Sequence, residues 1–128
     1  MVGIVIVSYS IKLAEGVLDA TKIMADGCPV AAAGGLPDGT YGTGYERIKD
    51  AILSVHGDDG VIVLMDMGSA VMTAEMVLEE LGRKDVVMAD CPIAEGAVAA
   101  SLSSLLGDDL KMASDRCETV TMPGIMYS

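Results

Sequence analysis

The sequence predicts an open α/β fold, a mostly parallel sheet of four to five strands with helices on both faces. Three observations carry this. The apolar runs Gly3–Val7 and Val61–Met65 are continuous rather than alternating, as expected of parallel strands covered on both sides. The segments between apolar runs place their apolar residues at three- and four-residue steps, the period of a helix packed by one face. The two kinds of segment alternate along the chain, and strict alternation favours parallel strands joined by crossover helices.

Gly3–Val7 is the first predicted strand. It is followed by a helix in which Ala14, Val17, Leu18, Thr21 and Met24 share a face. Val30–Ala33 is a second, weaker strand candidate. The turn-rich stretch Gly34–Gly44, "GGLPDGTYGTG", then leads to a helix over Tyr45–Val55 with Ile48, Ala51, Ile52 and Val55 on one side. A loop of that length is often functional. Val61–Met65 is the third strand, and Val71, Ala74, Met76, Val77, Leu78 and Leu81 mark the helix after it. Val86–Ala89 is the fourth strand. Ala94–Leu106 is rich in Ala and Leu, both strong helix formers, and a short helix is expected near Asp108–Arg116. The whole of 1–128 is read as a single domain, with 118–128, which contains Pro123 and Gly124, an edge strand or a loose tail.

Composition narrows the function classes. Hydrophobic residues make up 52% of the chain, yet there is no Phe or Trp. An aliphatic core is expected, with the ten Met filling irregular gaps. A formal net charge of −11 repels phosphate backbones and argues against nucleic-acid binding. It leaves room for a local phosphate site on backbone amides at a helix N-terminus. No apolar run approaches the roughly 18 residues that suggest a membrane span. No basic segment precedes Val2–Val7, which is shorter than a signal-peptide core, so the expected location is the cytoplasm without membrane attachment. Cys28, Cys91 and Cys117 are far apart in sequence and form no CxxC pair, which fits free, mostly buried thiols.

In open α/β sheets, ligands bind beyond the carboxyl ends of the strands, where strand order reverses. Four loops qualify: Ser8–Ser10, Gly34–Gly44, Asp66–Ser69 and Asp90–Pro92. The nucleotide-binding fingerprints fail, since there is no GxxxxGK[ST] and neither glycine pair follows the first strand. Asp66 ends the third strand, where a carboxylate suits three roles. It can cap the next helix or orient a group from the first strand. It can also accept phosphate as in response-regulator receivers, although Val7-Ser8-Tyr9 offers none of the acidic metal ligands that reading needs. No cofactor is expected, and nothing has metal-ligand spacing. His56, the only histidine, falls at the opposite end of the sheet, and a solvated place near a helix C-terminus suits it. Tyr9 stands at the tip of the first strand. Its phenol, with an ordinary pKa of about 10, is a poor nucleophile at neutral pH.

The segments "IVIVSYSIKLAEGV", "AAAGG…DGTYGT", "VIVLMDMGSAVMTAE" and "CPIAEGAVAA" resemble, in order and spacing, the phosphoryl-donor subunits of bacterial phosphotransferase-system-dependent dihydroxyacetone kinases (the DhaM family). Those subunits have the fold of mannose-type enzyme IIA domains. The likeness runs to about Leu110, and Asp66-Met-Gly-Ser-Ala70 is its most discriminating piece. It implies a homodimeric phosphocarrier that takes a phosphoryl group from HPr onto a histidine and passes it to ADP bound on a partner kinase subunit. It also implies that Asp66 orients that histidine. Ser10, Thr43, Gly68 and Ser69 then offer donors to the phosphoryl oxygens. The family's acceptor histidine lies between the two serines of "VSHS", and this chain has Tyr9 there. Phosphotyrosine is a stable monoester whose transfer to ADP is uphill, so Tyr9 is not a like-for-like replacement.

Overall fold

The structure is a computed structural model, and it describes residues 1–120. Strands β1 (Gly3–Ser8), β2 (Val30–Gly34), β3 (Val61–Met65) and β4 (Val86–Ala89) alternate with helices α1 (Ile11–Met24), α2 (Tyr45–Val55), α3 (Gly68–Leu81) and α4 (Ile93–Leu105), and α5 (Leu110–Glu118) follows. The four described strands form one parallel sheet in the order β2-β1-β3-β4. From β1 the chain turns outward to β2 and then returns to the other side of β1 as β3. The reversal therefore lies between the carboxyl ends of β1 and β3, where a ligand site is expected.

Both faces of the sheet are covered, which explains the unbroken apolar runs. On one face Ile4, Ile6, Ile62 and Leu64 pack with Ala14 and Val17 of α1, Ala97 and Ala100 of α4 and Ala113 and Cys117 of α5. On the other, Val5, Val7, Val61 and Val63 pack with Ile48 and Ile52 of α2 and Ala70, Ala74 and Val77 of α3. The helices bring mainly Ala to strands that bring Ile and Val. Small residues let helix and sheet approach closely, while the β-branched strand residues fill the volume. At Gly34 the approach is close, since a Cβ there would lie 2.7 Å from the Ile11 Cα and from the Ser10 carbonyl oxygen.

The core is aliphatic, and among the described methionines only Met65 and Met88 pack against it, each half-buried. No Met is fully buried among the described residues, and Met24, Met67, Met72, Met76 and Met112 lie exposed on or beside helices. Hydropathy ranks Met with Leu, yet the Ile–Val strands and Ala-faced helices leave few gaps for a long flexible chain. Other expectations move only slightly. β4 and β2 form as read, α4 begins one residue earlier than read, and the short helix is displaced to Leu110–Glu118 because Asp109 caps it through the Met112 amide. Glu118 thus belongs to α5, and residues 121–128 of the expected edge strand or tail lie outside the described residues.

His56 sits at the amino-terminal edge of the sheet, away from the β1–β3 reversal. It is not a solvated loop residue, however. Its Nε2 lies 2.8 Å from Asp85 Oδ2, and its side chain is only 19% exposed. Spacing alone could not reveal this, because Asp85 reaches it from the loop before β4.

Candidate functional site

The parallel register Val7↔Met65 ends β1 and β3 at the same height. One residue further on, Ser8 and Asp66 meet. The Ser8 hydroxyl donates to Asp66 Oδ2 at 2.6 Å and accepts from the Ser10 amide at 3.0 Å. Ser8 is fully buried. The other carboxylate oxygen, Asp66 Oδ1, is buried without a partner in the protein. A buried carboxylate oxygen without a protein partner costs free energy, so Oδ1 is open to a further donor. Asp66 does not cap α3: the N-cap is Met67, and no side chain caps that helix start.

Tyr9 is held between these features. Its carbonyl accepts from the Gly42 amide at 2.8 Å, which ties the strand tip to the long β2–α2 loop. Its ring is partly exposed and lies against Tyr41, with centroids 5.7 Å apart and the planes tilted by 45°. Ser10 caps α1, its side chain accepting from the Leu13 amide at 3.3 Å. Thr43 reaches the start of α3, where its hydroxyl is 3.4 Å from that of Ser69. The long loop is closed by a Gly35↔Thr43 bridge and by Asp38, which accepts from both the hydroxyl and the amide of Thr40.

Two clefts open here. One of about 330 Å³ runs along Ser10, Lys12, Thr40 and Tyr41. The other, of about 500 Å³, is lined by Asp66, Met67, Gly68, Asp90, Cys91 and Glu118. All four loops expected to build the site therefore converge. Tyr9, Ser10, Thr43, Asp66, Gly68 and Ser69 are brought to the same end of the sheet. Among the described residues, no cluster of three His, Cys, Asp or Glu side chains is arranged to hold a metal ion.

One contact and one contributor escaped the sequence reading. Ser8 lies in a loop the sequence singled out and is the only polar side chain in β1, but its bond to Asp66 was not foreseen. Glu118, on the rim of the larger cleft, accepts from the Asp90 amide at 3.1 Å. It comes from α5, and nothing local in the sequence points from there to the site.

The EIIA-man family model, described as "PTS system fructose IIA component", matches residues 3–114. The chain belongs to the EIIA-man family. Its similar curated relatives are phosphoryl-donor subunits of dihydroxyacetone kinases. The Escherichia coli "PEP-dependent dihydroxyacetone kinase, phosphoryl donor subunit DhaM" is 40% identical over 117 residues, 86% of this chain and 25% of that protein. The Listeria innocua "PEP-dependent dihydroxyacetone kinase 1, phosphoryl donor subunit DhaM" is 34% identical over 118 residues, 92% of this chain and 94% of the other. This EIIA-man chain thus spans about a quarter of the enterobacterial relatives it matches and nearly all of the Listeria one. Among solved structures, a crystal structure of a protein of unknown function, EF1359, superposes with a TM-score of 0.85 at 24% identity, covering 98% of this chain and 99% of that one. A sigma-54 interaction domain protein from Enterococcus faecalis superposes at 0.68 and 18% identity, over 91% and 87% of the two chains. These two likenesses show a shared fold alone.

Proposed function

We propose that this chain is a phosphoryl-carrier subunit of a bacterial dihydroxyacetone kinase, built to relay phosphate from HPr to ADP on a partner kinase subunit, with Tyr9 in the acceptor position. The observation that carries this reading is the Ser8–Asp66 bridge with its unpartnered Oδ1. An imidazole at position 9 would donate one ring N–H to that oxygen. Its tautomer would be fixed, and the other nitrogen would be left to attack phosphorus. The uncapped amides at Gly68 and Ser69, with the hydroxyls of Ser10 and Thr43, are the donors for the phosphoryl oxygens. Relatives named as phosphoryl donor subunits support the assignment.

Tyr9 lacks the chemistry of the position it fills. A phenol offers no nucleophilic ring nitrogen, and its phosphoester would not pass its group to ADP. The protein around it keeps a docking face. Met67, Met72 and Met76 project from α3 and its start, and Tyr41 is 75% exposed. Flexible thioethers and an exposed aromatic ring suit contact with partner proteins. An apolar groove between α1 and α4, lined by Ala20, Met24, Val98 and Leu102, supports assembly as a homodimer.

The test is phosphoryl labelling with enzyme I, HPr and labelled phosphoenolpyruvate. The chain as it stands is expected to stay unlabelled, while Tyr9→His takes up one acid-labile phosphoryl group and loses it to the kinase subunit with ADP. An unlabelled, folded Tyr9→His overturns the assignment of position 9. The Tyr9–Tyr41 contact favours a second reading, a homologue that docks the kinase subunit without carrying phosphate. That reading expects the unaltered chain to bind and inhibit the kinase subunit while mass spectrometry finds no added phosphate.

A further inference from the structure

We propose that Cys91 and Cys117 form a peroxide-sensitive dithiol that closes to a reversible disulfide on the rim of the larger cleft. The two sulfurs lie 2.8 Å apart, although the residues are 26 positions apart and belong to different elements. Cys91 follows β4 and Cys117 lies in the last turn of α5. A disulfide of about 2.05 Å requires only a small further approach. The neighbouring Asp90–Glu118 hydrogen bond already holds the two segments side by side.

The space for this pair is made by a glycine. Gly96 lies inside α4, where a glycine is less favourable to the helix than alanine. A Cβ there would collide with the Cys91 sulfur and lie 3.2 Å from that of Cys117. The helix is thus bare at the one point where both sulfurs rest.

The two thiols are unequal. Cys91 is half-buried and lines the cleft, whereas Cys117 is fully buried. The contact with the Cys117 thiol holds the Cys91 pKa below the ordinary thiol value against burial and the Glu118 and Asp90 carboxylates. Cys117 is pushed far up by the same contact and by burial. Because only Cys91 faces the cleft, Cys91 is the nucleophile and the buried Cys117 the resolving thiol. The carboxylates beside Cys91 and the net charge of −11 disfavour an anionic oxidant such as glutathione disulfide. A small neutral hydroperoxide suits the cleft.

In the first step the Cys91 thiolate attacks the peroxide oxygen. The O–O bond breaks, the alcohol or water leaves with a proton, and Cys91 becomes a sulfenic acid. In the second, the Cys117 sulfur attacks Cys91, the S–O bond breaks, and the hydroxyl departs as water with the Cys117 proton. Two thiols are oxidised and one peroxide is reduced. The product ties the end of α5 to the β4–α4 loop next to Asp66, and a dithiol reductant reverses it. This chemistry is independent of the phosphoryl relay.

The experiment treats the reduced, full chain with hydrogen peroxide and then alkylates it. The expected result is loss of two of its three alkylatable thiols and of two hydrogens in intact mass. A Cys91–Cys117 linked peptide is expected after proteolysis, with Cys28 still alkylated. Cys117→Ser should yield a sulfenic acid on Cys91 that dimedone traps, and Cys91→Ser should keep its two remaining thiols. Three alkylatable thiols after peroxide, or cross-linking that runs through Cys28 between chains, overturns the proposal. So does an absence of dimedone adduct on folded Cys117→Ser.

Discussion

Replacing Ser8 with alanine tests the central contact of the site without touching the proposed acceptor position. The side chain is fully buried, and its hydroxyl serves two partners, Asp66 Oδ2 at 2.6 Å and the Ser10 amide at 3.0 Å. A hydrogen bond to a charged group contributes about 1.5–3 kcal/mol. Asp66 has no second partner to fall back on, because Oδ1 is already unpaired. The Ser10 amide is partly accessible, so water replaces its lost acceptor at a cost nearer about 1 kcal/mol. The sum is about 3 kcal/mol. At roughly 2–8 °C per kcal/mol for domains of this size, Ser8→Ala should melt about 10 °C lower. Urea denaturation at pH 7 of Ser8→Ala, Asp66→Asn and the double variant reads the coupling directly. The second substitution should cost at least about 1 kcal/mol less in the presence of the first. A loss below about 1 kcal/mol for Ser8→Ala, or full additivity in the cycle, would refute the view that Ser8 holds a buried carboxylate.

Gly34→Ala places a Cβ against the Ile11 Cα and the Ser10 carbonyl, both backbone atoms at 2.7 Å. Overpacking should destabilise the chain by about 1–3 kcal/mol and be visible as a lower thermal midpoint; an unchanged midpoint contradicts the close approach of β2 to α1. The Asp38 carboxyl is held below its ordinary pKa by the Thr40 hydroxyl first and the Thr40 amide second. A depressed folded pKa means that the turn's contribution is present above the ordinary carboxylate value of about 3.9. It is lost as pH falls through the lower folded value. The Thr40 amide shift should therefore titrate with a midpoint below about 3.9, and a midpoint at or above it removes the Asp38–Thr40 bond from solution.

The fold was legible wherever its cause is local. β1 and β3 are continuous apolar runs because both of their faces are covered, and the helical periods of α1 and α2 reflect one buried side each. The place where the candidate residues gather was legible from topology, since the loops after parallel strands share one end. What escaped depends on register or long-range contact. Ser8 opposes Asp66 only because β1 and β3 are neighbours with Val7 level with Met65. Cys91 meets Cys117 only because α5 folds back across α4. Methionine misled for a different reason: hydropathy cannot distinguish a gap-filler from a residue displayed on a helix, and here Met67, Met72 and Met76 are displayed.

The placement of His56 has one more consequence. It is the chain's single histidine, fastened to Asp85 at the amino-terminal edge of the sheet with Arg83 beside it. A nitrogen-detected spectrum of the chain therefore contains one imidazole, far from the strand tips. In Tyr9→His a second imidazole joins it at the opposite end of the sheet. A phosphoryl group on that variant then has two possible imidazole addresses, separated by the length of the strands and spectroscopically distinct, so the fold supplies an internal reference for where the label lands.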